Sequence, residues 1–445
     1  CKWHSEAEWL RRRGVPAERV LDTSRVPGDA DPQVLSEELA VLEAAGAPRM
    51  RDVVMMDRHL RREEWEFALR YLGTVNREVT RFLEERGIEL VSTLPDTALQ
   101  ILSLWIARGL GIPAVVPTPL RYPLARFGFC PSHEPASFVP IRPVEAGDRE
   151  EARRVVDEFR AGRVAVVTGS PLGALGAVVA ALPRQVAFFR QMVRWARHDG
   201  GQRHHRWTLG DIGAMYVRKR FNLVRMRAGL RYQTRQGPRP FVLYAVHVQP
   251  ESSIDVYGAF FANQLELVTH IARSTPATHD LYVKIHLGDM GEQALGFYRA
   301  LQRIPGVVLI GPEVPARALV ERAAVVFTVS GTMAMEAGML GRPAVTFGRM
   351  FFNALPTVHY CPSPPQLPAL VSRLLAEGPA RDPLPEIVEA MAAMLASSFA
   401  GQFTRRGAVG LPEPQDGTRM AAAYHALLAT GRGAARGAGV SAPAA

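Results

Sequence analysis

The sequence has few cysteines, few lysines and no long uninterrupted apolar run. Its three cysteines, Cys1, Cys130 and Cys361, are scattered along the chain, which argues against a disulfide framework or a cysteine metal cluster. The most apolar window, residues 164–182, is interrupted by glycine and proline, so it predicts a strand, a turn and a buried helix instead of a membrane span. No secretory signal is recognisable. These features predict a cytoplasmic protein, with contact at the inner-membrane surface as a further expectation.

Recognisable nucleic-acid and metal motifs are also missing. The 445 residues carry a net charge of +10, which suits an acidic partner such as nucleic acid, an anionic membrane or a phosphorylated substrate. There is no helix-turn-helix, zinc finger or RNP-type aromatic motif, so nucleic acid is not favoured. No His-x-x-x-His spacing follows the strand ends, and we predict no metal and no cofactor.

Short apolar runs alternate with helical patterns in the second half of the chain. A strand that is covered on both faces is almost continuously apolar, and strand-helix alternation is typical of a doubly wound parallel sheet. In such a sheet, ligands bind beyond the carboxyl ends of the strands. The predicted strands are residues 241–246, 281–285, 307–310, 324–329 and 344–347, and the predicted helices are residues 259–274, 291–302, 315–322 and 332–340.

The first half shows a similar alternation, which predicts a second Rossmann-like domain. Its candidate strands are residues 51–56, 89–93 and 113–117, and its main helices are residues 63–86 and 96–110. The predicted fold class is α/β, with two Rossmann-like domains facing a cleft and followed by C-terminal helices. The predicted divisions are an N-terminal Rossmann-like domain (1–182), an Arg-rich helical segment and linker (183–240), a C-terminal Rossmann-like domain (241–400), a C-terminal helix (401–430) and a disordered tail (431–445).

A Ser330-Gly331-Thr332 turn joins a predicted strand to a predicted helix. Backbone N–H groups and hydroxyls converge at such a turn, and together with the helix dipole they favour a bound anion. The same turn is also an ordinary helix cap. Glu336 lies one helical turn beyond Thr332 and suits a hydrogen bond to ribose hydroxyls.

Lys284 and His286 alternate along one predicted strand, so both side chains point the same way. The chain has only three lysines among 53 basic residues, so a lysine here suggests a need for a compact charge. His286 could donate to a phosphate or protonate a leaving group, or it could be a core histidine. Three more polar side chains end the preceding strand and are expected to line the cleft: His247, Gln249 and Glu251.

Asp96 follows one predicted strand and begins a helix, so it is either a helix cap or a catalytic carboxylate. Arg121, Tyr122 and Arg126 follow the next strand and suit a phosphate, an acidic sugar or plain exposed surface.

The Arg-rich segment contains the densest basic run at Arg218, Lys219 and Arg220. Arginines interleaved with aromatics suit an anionic membrane, while nucleic-acid stacking and a solvated helical face are the alternatives. If the protein is a transferase, the same run could instead contact its acceptor.

Motifs between His247 and Gly348 resemble the bacterial capsule polysaccharide biosynthesis and export family, typified by cytoplasmic Kdo transferases. They are the His-Val-Gln-Pro-Glu-Ser-Ser run from His247, the Lys284-Ile285-His286 strand end, the Ser330-Gly331-Thr332 turn with Glu336, and Gly341-Arg342-Pro343. Leu287 stands where the family usually has proline after the histidine.

The resemblance implies a glycosyltransferase-B fold and a CMP-activated acidic sugar donor. It makes residues 241–400 the nucleotide-sugar-binding domain and residues 1–182 the acceptor-side domain. Lys284, His286, Ser330, Gly331 and Thr332 would then hold the donor phosphate, and Glu336 would touch the ribose. The candidate catalytic residues are Asp96, Glu251 and His286.

The implied activity is transfer of an acidic sugar, Kdo, to a lipid-linked or growing glycan, with the membrane and capsule-assembly proteins as further partners. A UDP-sugar or CDP-alcohol transferase, a non-catalytic capsule-assembly component and a basic nucleic-acid-binding protein are the alternatives.

Overall fold

A computed structural model describes residues 4–24, 31–163, 208–377, 382–402 and 414–430, together with the single residues 190 and 193. The apolar window 164–182, most of the Arg-rich stretch up to residue 207 and the tail from residue 431 lie outside these ranges. Within them, no helix combines the length and the apolar character that a membrane span needs.

The described helices share the amphipathic or buried patterns expected of an α/β protein. They are α1 (His4–Arg12), α2 (Pro32–Ala44), α3 (Met50–Met56), α4 (Trp65–Glu85), α5 (Ala98–Gly109), α6 (Ala146–Arg160), α7 (Leu209–Gly229), α8 (Ser252–Asp255), α9 (Gln264–Ser274), α10 (Leu295–Gln302), α11 (Ala316–Arg322), α12 (Thr332–Met339), α13 (Leu367–Glu377), α14 (Leu384–Ala396) and α15 (Pro414–Ala429). The strands are β1 (Val91–Ser92), β2 (Ala114–Pro119), β3 (Arg126–Cys130), β4 (Phe241–Ala245), β5 (Asp280–Lys284), β6 (Val307–Ile310), β7 (Val326–Thr328), β8 (Ala344–Thr346), β9 (Val358–Tyr360) and β10 (Ser398–Ala400).

The second half forms a six-stranded parallel sheet in the order β6-β5-β4-β7-β8-β9. The chain starts at β4 in the middle, winds out to β6, returns to β7 and winds out to β9, which is the Rossmann order. The switch point lies between β4 and β7, and a ligand crevice is expected beyond their carboxyl ends. This half of the predicted fold is confirmed, and β9 is an additional strand.

The first sheet is mixed, with the order β1-β2-β3-β10. Strands β1 and β2 are parallel and are connected through α5, as expected for a Rossmann-like unit. Strand β3 pairs antiparallel with β2, and β10 pairs antiparallel with β3. The predicted α/β class is confirmed, and the described strands of the first sheet add an antiparallel edge to it.

The expected strand at residues 51–56 is wrong, because these residues belong to α3. Met50, Val53 and Val54 are buried while Arg51 and Met55 are exposed, so the burial follows a helical face and not a strand alternation. The helix has seven residues, and its last four side chains are all apolar. Such a short run does not show whether the apolar positions repeat as in a helix or as in a strand.

The C-terminal part of the chain returns to the first sheet. Helix α14 packs against α6, where Arg149 and Glu389 form an ion pair at 2.7 Å, and β10 extends the sheet. Arg126 fixes this return by donating to the carbonyls of Leu395 and Ser398, both at 3.1 Å. Tyr424 of α15 reaches Ser92 at 2.6 Å between the hydroxyl oxygens. The N- and C-terminal parts of the chain therefore share the packing of the first sheet.

Asp57 holds the start of α5 in place. Its carboxylate is buried and accepts hydrogen bonds from the backbone N–H groups of His59 (2.9 Å), Leu60 (3.1 Å) and Ala98 (3.0 Å).

We expect Asp57→Ala to lower the free energy of unfolding by about 3 kcal/mol, because three buried donors lose their acceptor. The matched control is Asp31→Ala, at an exposed cap that accepts one bond from Gln33 (2.9 Å), where the loss is about 1 kcal/mol. Urea unfolding of both variants checks the difference, and equal losses would contradict this role of Asp57.

Candidate active site

The polar ends of β4, β5 and β7 meet at one edge of the second sheet. Strand β4 pairs with β5 on one side and with β7 on the other, all in parallel. Their next residues, the segments beginning at His247, Ile285 and Val329, therefore leave the sheet at the same edge. The first domain meets this edge through Asp96, which contacts Ser252, and through Tyr122, which contacts Glu336. Several of the predicted site residues therefore lie near one contact between the two domains.

The Ser330-Gly331-Thr332 turn connects β7 to α12. Gly331 is the N-cap residue, and no side chain caps this helix. A Cβ at Gly331 would lie 2.5 Å from Thr328 Oγ1 and 3.3 Å from the His247 ring, so only glycine fits. The Ser330 hydroxyl is buried and donates to the Ser253 carbonyl, which ties the turn to the loop after β4. Of the three predicted anion-binding residues, Gly331 and Thr332 remain partly open to the cleft.

His247 lies beneath this turn and not in the exposed lining of the cleft. Its Nε2 accepts the Val329 N–H at 3.1 Å and lies 2.8 Å from Thr328 Oγ1. An accepting Nε2 places the proton of the neutral ring on Nδ1. Burial lowers the pKa of His247 to about 4, with His286 acting in the same direction, so the ring stays neutral and supports the turn.

Lys284 and His286 lie at the end of β5, with different exposures. Lys284 is buried and donates from Nζ to the carbonyls of Gly311 (3.2 Å) and Pro312 (3.4 Å). Burial lowers the pKa of Lys284 to about 8, although Glu313 opposes the shift. The ammonium group of Lys284 is therefore a buried cation that loses its proton at a lower pH than an exposed lysine does.

His286 is exposed, and its Nδ1 accepts the Gly288 N–H at 3.0 Å. Its neutral form therefore carries the proton on Nε2, which can donate to an anion. Desolvation lowers the pKa of His286, Glu251 raises it and Lys284 lowers it. Lys284 and Glu251 thus act electrostatically on the same ring.

Gln249 and Glu251 have separate roles at the end of β4. Gln249 donates from Nε2 to Asp255 Oδ1 at 2.9 Å, and Arg61 of the first domain lies 3.5 Å from the same oxygen. Glu251 is exposed, and its backbone carbonyl accepts from the N–H groups that begin α8. Gln249 therefore shapes the loop, while the Glu251 carboxylate is open to the cleft.

Asp96 is not the side-chain cap of α5, because Asp57 fills that place. Its Oδ1 accepts from Arg58 and from the hydroxyl of Ser252, which belongs to the second domain. Among the described residues no partner contacts Oδ2, and 43% of the side chain is exposed. Burial raises the pKa of Tyr257 to about 12, and the charges of Asp96 and Glu251 also raise it, which places both carboxylates near this phenol.

Glu336 is buried at the junction of the domains. The Tyr122 hydroxyl of the first domain donates to its Oε1 at 3.4 Å. Arg121 next to Tyr122 has a φ of +77°, a left-handed conformation that is uncommon outside glycine. Glu336 thus lies where the domains touch, at the cleft that its predicted ribose contact requires.

The three side chains of the predicted basic run lie on α7 and do not share one environment. Arg218 and Arg220 are exposed, whereas Lys219 turns towards Glu292 and forms an ion pair with it. Arg126, a candidate for binding a phosphate or an acidic sugar, donates to the carbonyls of Leu395 and Ser398 and so holds β10 on the first sheet. Within the ranges that the structure describes, no group of three or more His, Cys, Asp or Glu side chains is arranged to hold a metal ion.

Sequence reasoning did not find Arg58, Arg61, Ser252, Asp255 or Tyr257, all of which lie around the cleft. Arg58 precedes a short 3-10 turn at Leu60–Arg62 and Arg61 lies within it, and the basic run at residues 58–62 was the available signal. Ser252 lies in the motif that begins at His247, where no role was assigned to it, and Asp255 follows that motif by two residues. Their ion pairs and hydrogen bonds join residues far apart in sequence, so no local pattern indicates them.

Three comparisons with known proteins show what this chain is similar to. A family model described as capsule polysaccharide biosynthesis protein matches residues 201–356. No curated protein matches the sequence.

Among solved structures, two chains of KpsC from Thermosulfurimonas dismutans are similar to this chain. The beta Kdo 2,4 transferase is 13% identical with a TM-score of 0.38, and the match covers 77% of this chain and 88% of that chain. The beta Kdo 2,7 transferase is 11% identical with a TM-score of 0.35, over 73% and 82%. UDP-GlcNAc 2-epimerase from Methanocaldococcus jannaschii is 14% identical with a TM-score of 0.27, over 73% and 80%. The resemblance carried by the motifs from His247 to Gly348 is confirmed by the family match, which covers residues 201–356 of this chain.

Proposed function

We propose that this protein is a glycosyltransferase of capsule or surface polysaccharide biosynthesis. The donor would be a CMP-activated acidic sugar, Kdo, and the acceptor a lipid-linked or growing glycan. One observation supports the proposal: the segments beyond the carboxyl edge of the second sheet carry His286, whose Nε2–H can donate to an anion, and Ser252, which contacts the Asp96 carboxylate of the first domain. The segment that supplies these groups is the one that matches the capsule family.

The donor phosphate would bind at the ends of β5 and β7. His286 offers an Nε2–H, Lys284 a buried positive charge, and the start of α12 the backbone N–H groups next to Gly331. These groups are fixed before the reaction begins, so they can stabilise the negative charge that develops on the departing nucleotide. Glu336 would accept a hydrogen bond from the ribose while keeping its place at the domain junction.

The acceptor side would be served by a carboxylate. Arg58 and Ser252 both contact Oδ1 of Asp96, which leaves Oδ2 to take a proton from the acceptor hydroxyl or to attack the sugar carbon. Glu251 of the second domain is the other candidate carboxylate; it precedes Ser252, the residue that contacts Asp96. Asp96 is the stronger candidate because two partners from different domains orient it.

The identity of the nucleotide is the least constrained part of the proposal. Leu287 replaces the proline that follows the histidine in the family pattern, and it begins a 3-10 turn at Leu287–Asp289. The Gly288 N–H of this turn orients His286 directly. A UDP-sugar or CDP-alcohol donor would use the same phosphate groups, so nucleotide selectivity must be measured.

Titration of the purified chain with CMP, CDP, UDP and GDP tests the donor site. We expect selective CMP binding that His286→Ala weakens about tenfold, because one charge-assisted hydrogen bond to the phosphate is lost. His279→Ala, on the same domain but beyond the other end of β5, is the control and should bind as the parent does. A preference for UDP or CDP would assign another donor class, and no binding to any nucleotide would favour a non-catalytic assembly component.

Asp96→Asn tests the acceptor side. The amide keeps the shape of the side chain but cannot act as a base or a nucleophile, so we expect transfer to fall at least about a hundredfold while nucleotide affinity stays the same. Asp157→Asn, at an exposed ion pair on α6, is the control. Transfer that survives in Asp96→Asn would remove Asp96 from the mechanism and leave Glu251 as the candidate.

Donor affinity should also depend on pH through Lys284. With a pKa of about 8, Lys284 is charged below this pH and loses its proton above it, so phosphate affinity should fall as the pH rises from 7 to 9.5. The limiting slope is about tenfold per pH unit. Calorimetry on the parent and on Lys284→Met measures this, and the variant should bind more weakly with little change over the same interval. If the affinity of Lys284→Met falls with pH as steeply as that of the parent, the pH dependence arises from another titratable group.

A further inference from the structure

Helix α7 (Leu209–Gly229) carries apolar side chains on two opposite faces. The inner face buries Ile212 and Met226, which are 2% and 1% exposed, and Met226 is part of the apolar core of the second domain. The outer face presents Val217, Phe221 and Val224, which are 70%, 57% and 66% exposed. These three positions are spaced by four and three residues, so they form one stripe along the helix.

The inner face accounts for the packing of α7 without the stripe. Asn222 donates from Nδ2 to the Gly291 carbonyl at 3.1 Å, and Lys219 pairs with Glu292. A Cβ at Gly291 would lie 2.6 Å from the Lys219 carbonyl, which shows how closely the helix backbone approaches this loop. The outer stripe therefore contributes little to the stability of the described fold.

Arginines flank the outer stripe on both sides. At 100° per residue, Arg218 and Arg225 lie on one side of Phe221, and Arg220 and Arg227 lie on the other. The helix contains one acidic residue, Asp211, and that carboxylate is held at the first turn by Thr208 and Arg62. An apolar stripe between two basic rows is complementary to a surface with an apolar interior and negative headgroups.

We propose that the outer face of α7 docks on a lipid bilayer that carries anionic headgroups. Val217, Phe221 and Val224 enter the region below the headgroups, and the flanking arginines pair with lipid phosphates. A second copy of this chain fits less well, because an α7 packed on α7 would bring arginine rows together. Among the described residues, other exposed large apolar side chains do not form such a three-residue stripe on one helix.

The docked helix would hold the donor site close to the bilayer. The inner face of α7 contacts Gly291 and Glu292, and the same loop begins at His286. A lipid-linked acceptor would therefore meet the cleft near the surface in which its lipid is embedded. Docking depends on α7 alone and does not rest on the identity of the donor.

Vesicle flotation of the full chain tests the docking. We expect binding to phosphatidylcholine vesicles that contain phosphatidylglycerol, weaker binding to phosphatidylcholine alone, and loss of binding at high salt. Phe221→Ser with Val224→Ser should reduce partitioning at least about tenfold, and Arg218→Gln with Arg220→Gln should do so by a similar factor. The controls are Val41→Ser, an equally exposed apolar residue on α2, and Arg273→Gln with Arg303→Gln on the same domain as the donor site.

A direct probe of contact is an environment-sensitive NBD fluorophore on Phe221→Cys in a Cys1→Ser background. Cys130 and Cys361 are buried, so the label goes to the introduced thiol. Emission should rise and shift to the blue with anionic vesicles, and a label on Val41→Cys should not respond.

Three results would overturn the proposal: no binding to anionic vesicles, equal loss in the control variants, or a concentration-dependent dimer that the Phe221→Ser, Val224→Ser variant abolishes. Nucleotide affinity of each variant is measured in parallel. A stripe variant that loses vesicle binding but retains nucleotide affinity separates this proposal from the donor-site proposal.

Discussion

The hydrogen bond from the Val329 N–H to Nε2 of His247 is the interaction on which the candidate site depends. It joins the end of β4 to the end of β7 at the switch point of the second sheet. Because Nε2 must accept this bond, a protonated ring would break it, and burial keeps the pKa of His247 near 4. Thr328 Oγ1, which lies 2.8 Å from the same Nε2, accepts the Gly331 N–H at 3.0 Å and leaves no room for a side chain at position 331. The shape of the Ser330-Gly331-Thr332 turn thus depends on a neutral buried histidine and on the threonine beside it.

The cleft is held by a few polar contacts between the domains, on top of a shared apolar core. Phe138 stacks on Phe351 with ring centroids 4.5 Å apart, which joins the apolar surfaces of the two halves. At the site, the contacts are polar: Ser252 reaches Asp96, and Tyr122 reaches Glu336. Burial of the aromatic contact supplies most of the attraction, since polar pairs exchange one set of hydrogen bonds for another. The polar pairs therefore fix the alignment of the two edges more than they stabilise the assembly.

Much of the second domain could be predicted from the sequence, because strands covered on both faces are recognisable as short apolar runs. The strand at residues 307–310 was predicted to the residue, while β9 was missed because Val358, His359 and Tyr360 offer only three residues with a histidine in the middle. The apolar run in α3 was mistaken for a strand, since seven residues span less than two helical turns. Sequence-based prediction therefore failed at short elements, because the residues that pack against such an element decide whether it forms a helix or a strand.

The site could be predicted only in its local parts. The Pro95-Asp96-Thr97 sequence suits a cap, and no local rule reveals that Asp57, 41 residues earlier, already accepts the Ala98 N–H. That long-range bond frees the Asp96 carboxylate from a structural role and leaves it to Arg58 and Ser252. Lys284 shows the opposite effect. Burial lowers its pKa to about 8, while Glu313 raises it and two backbone carbonyls accept from the ammonium group, so the side chain is still charged at pH 7. In both cases the chemistry of the residue is set by partners that the tertiary fold brings, so its type and position in the sequence indicate a candidate and the packing decides its state.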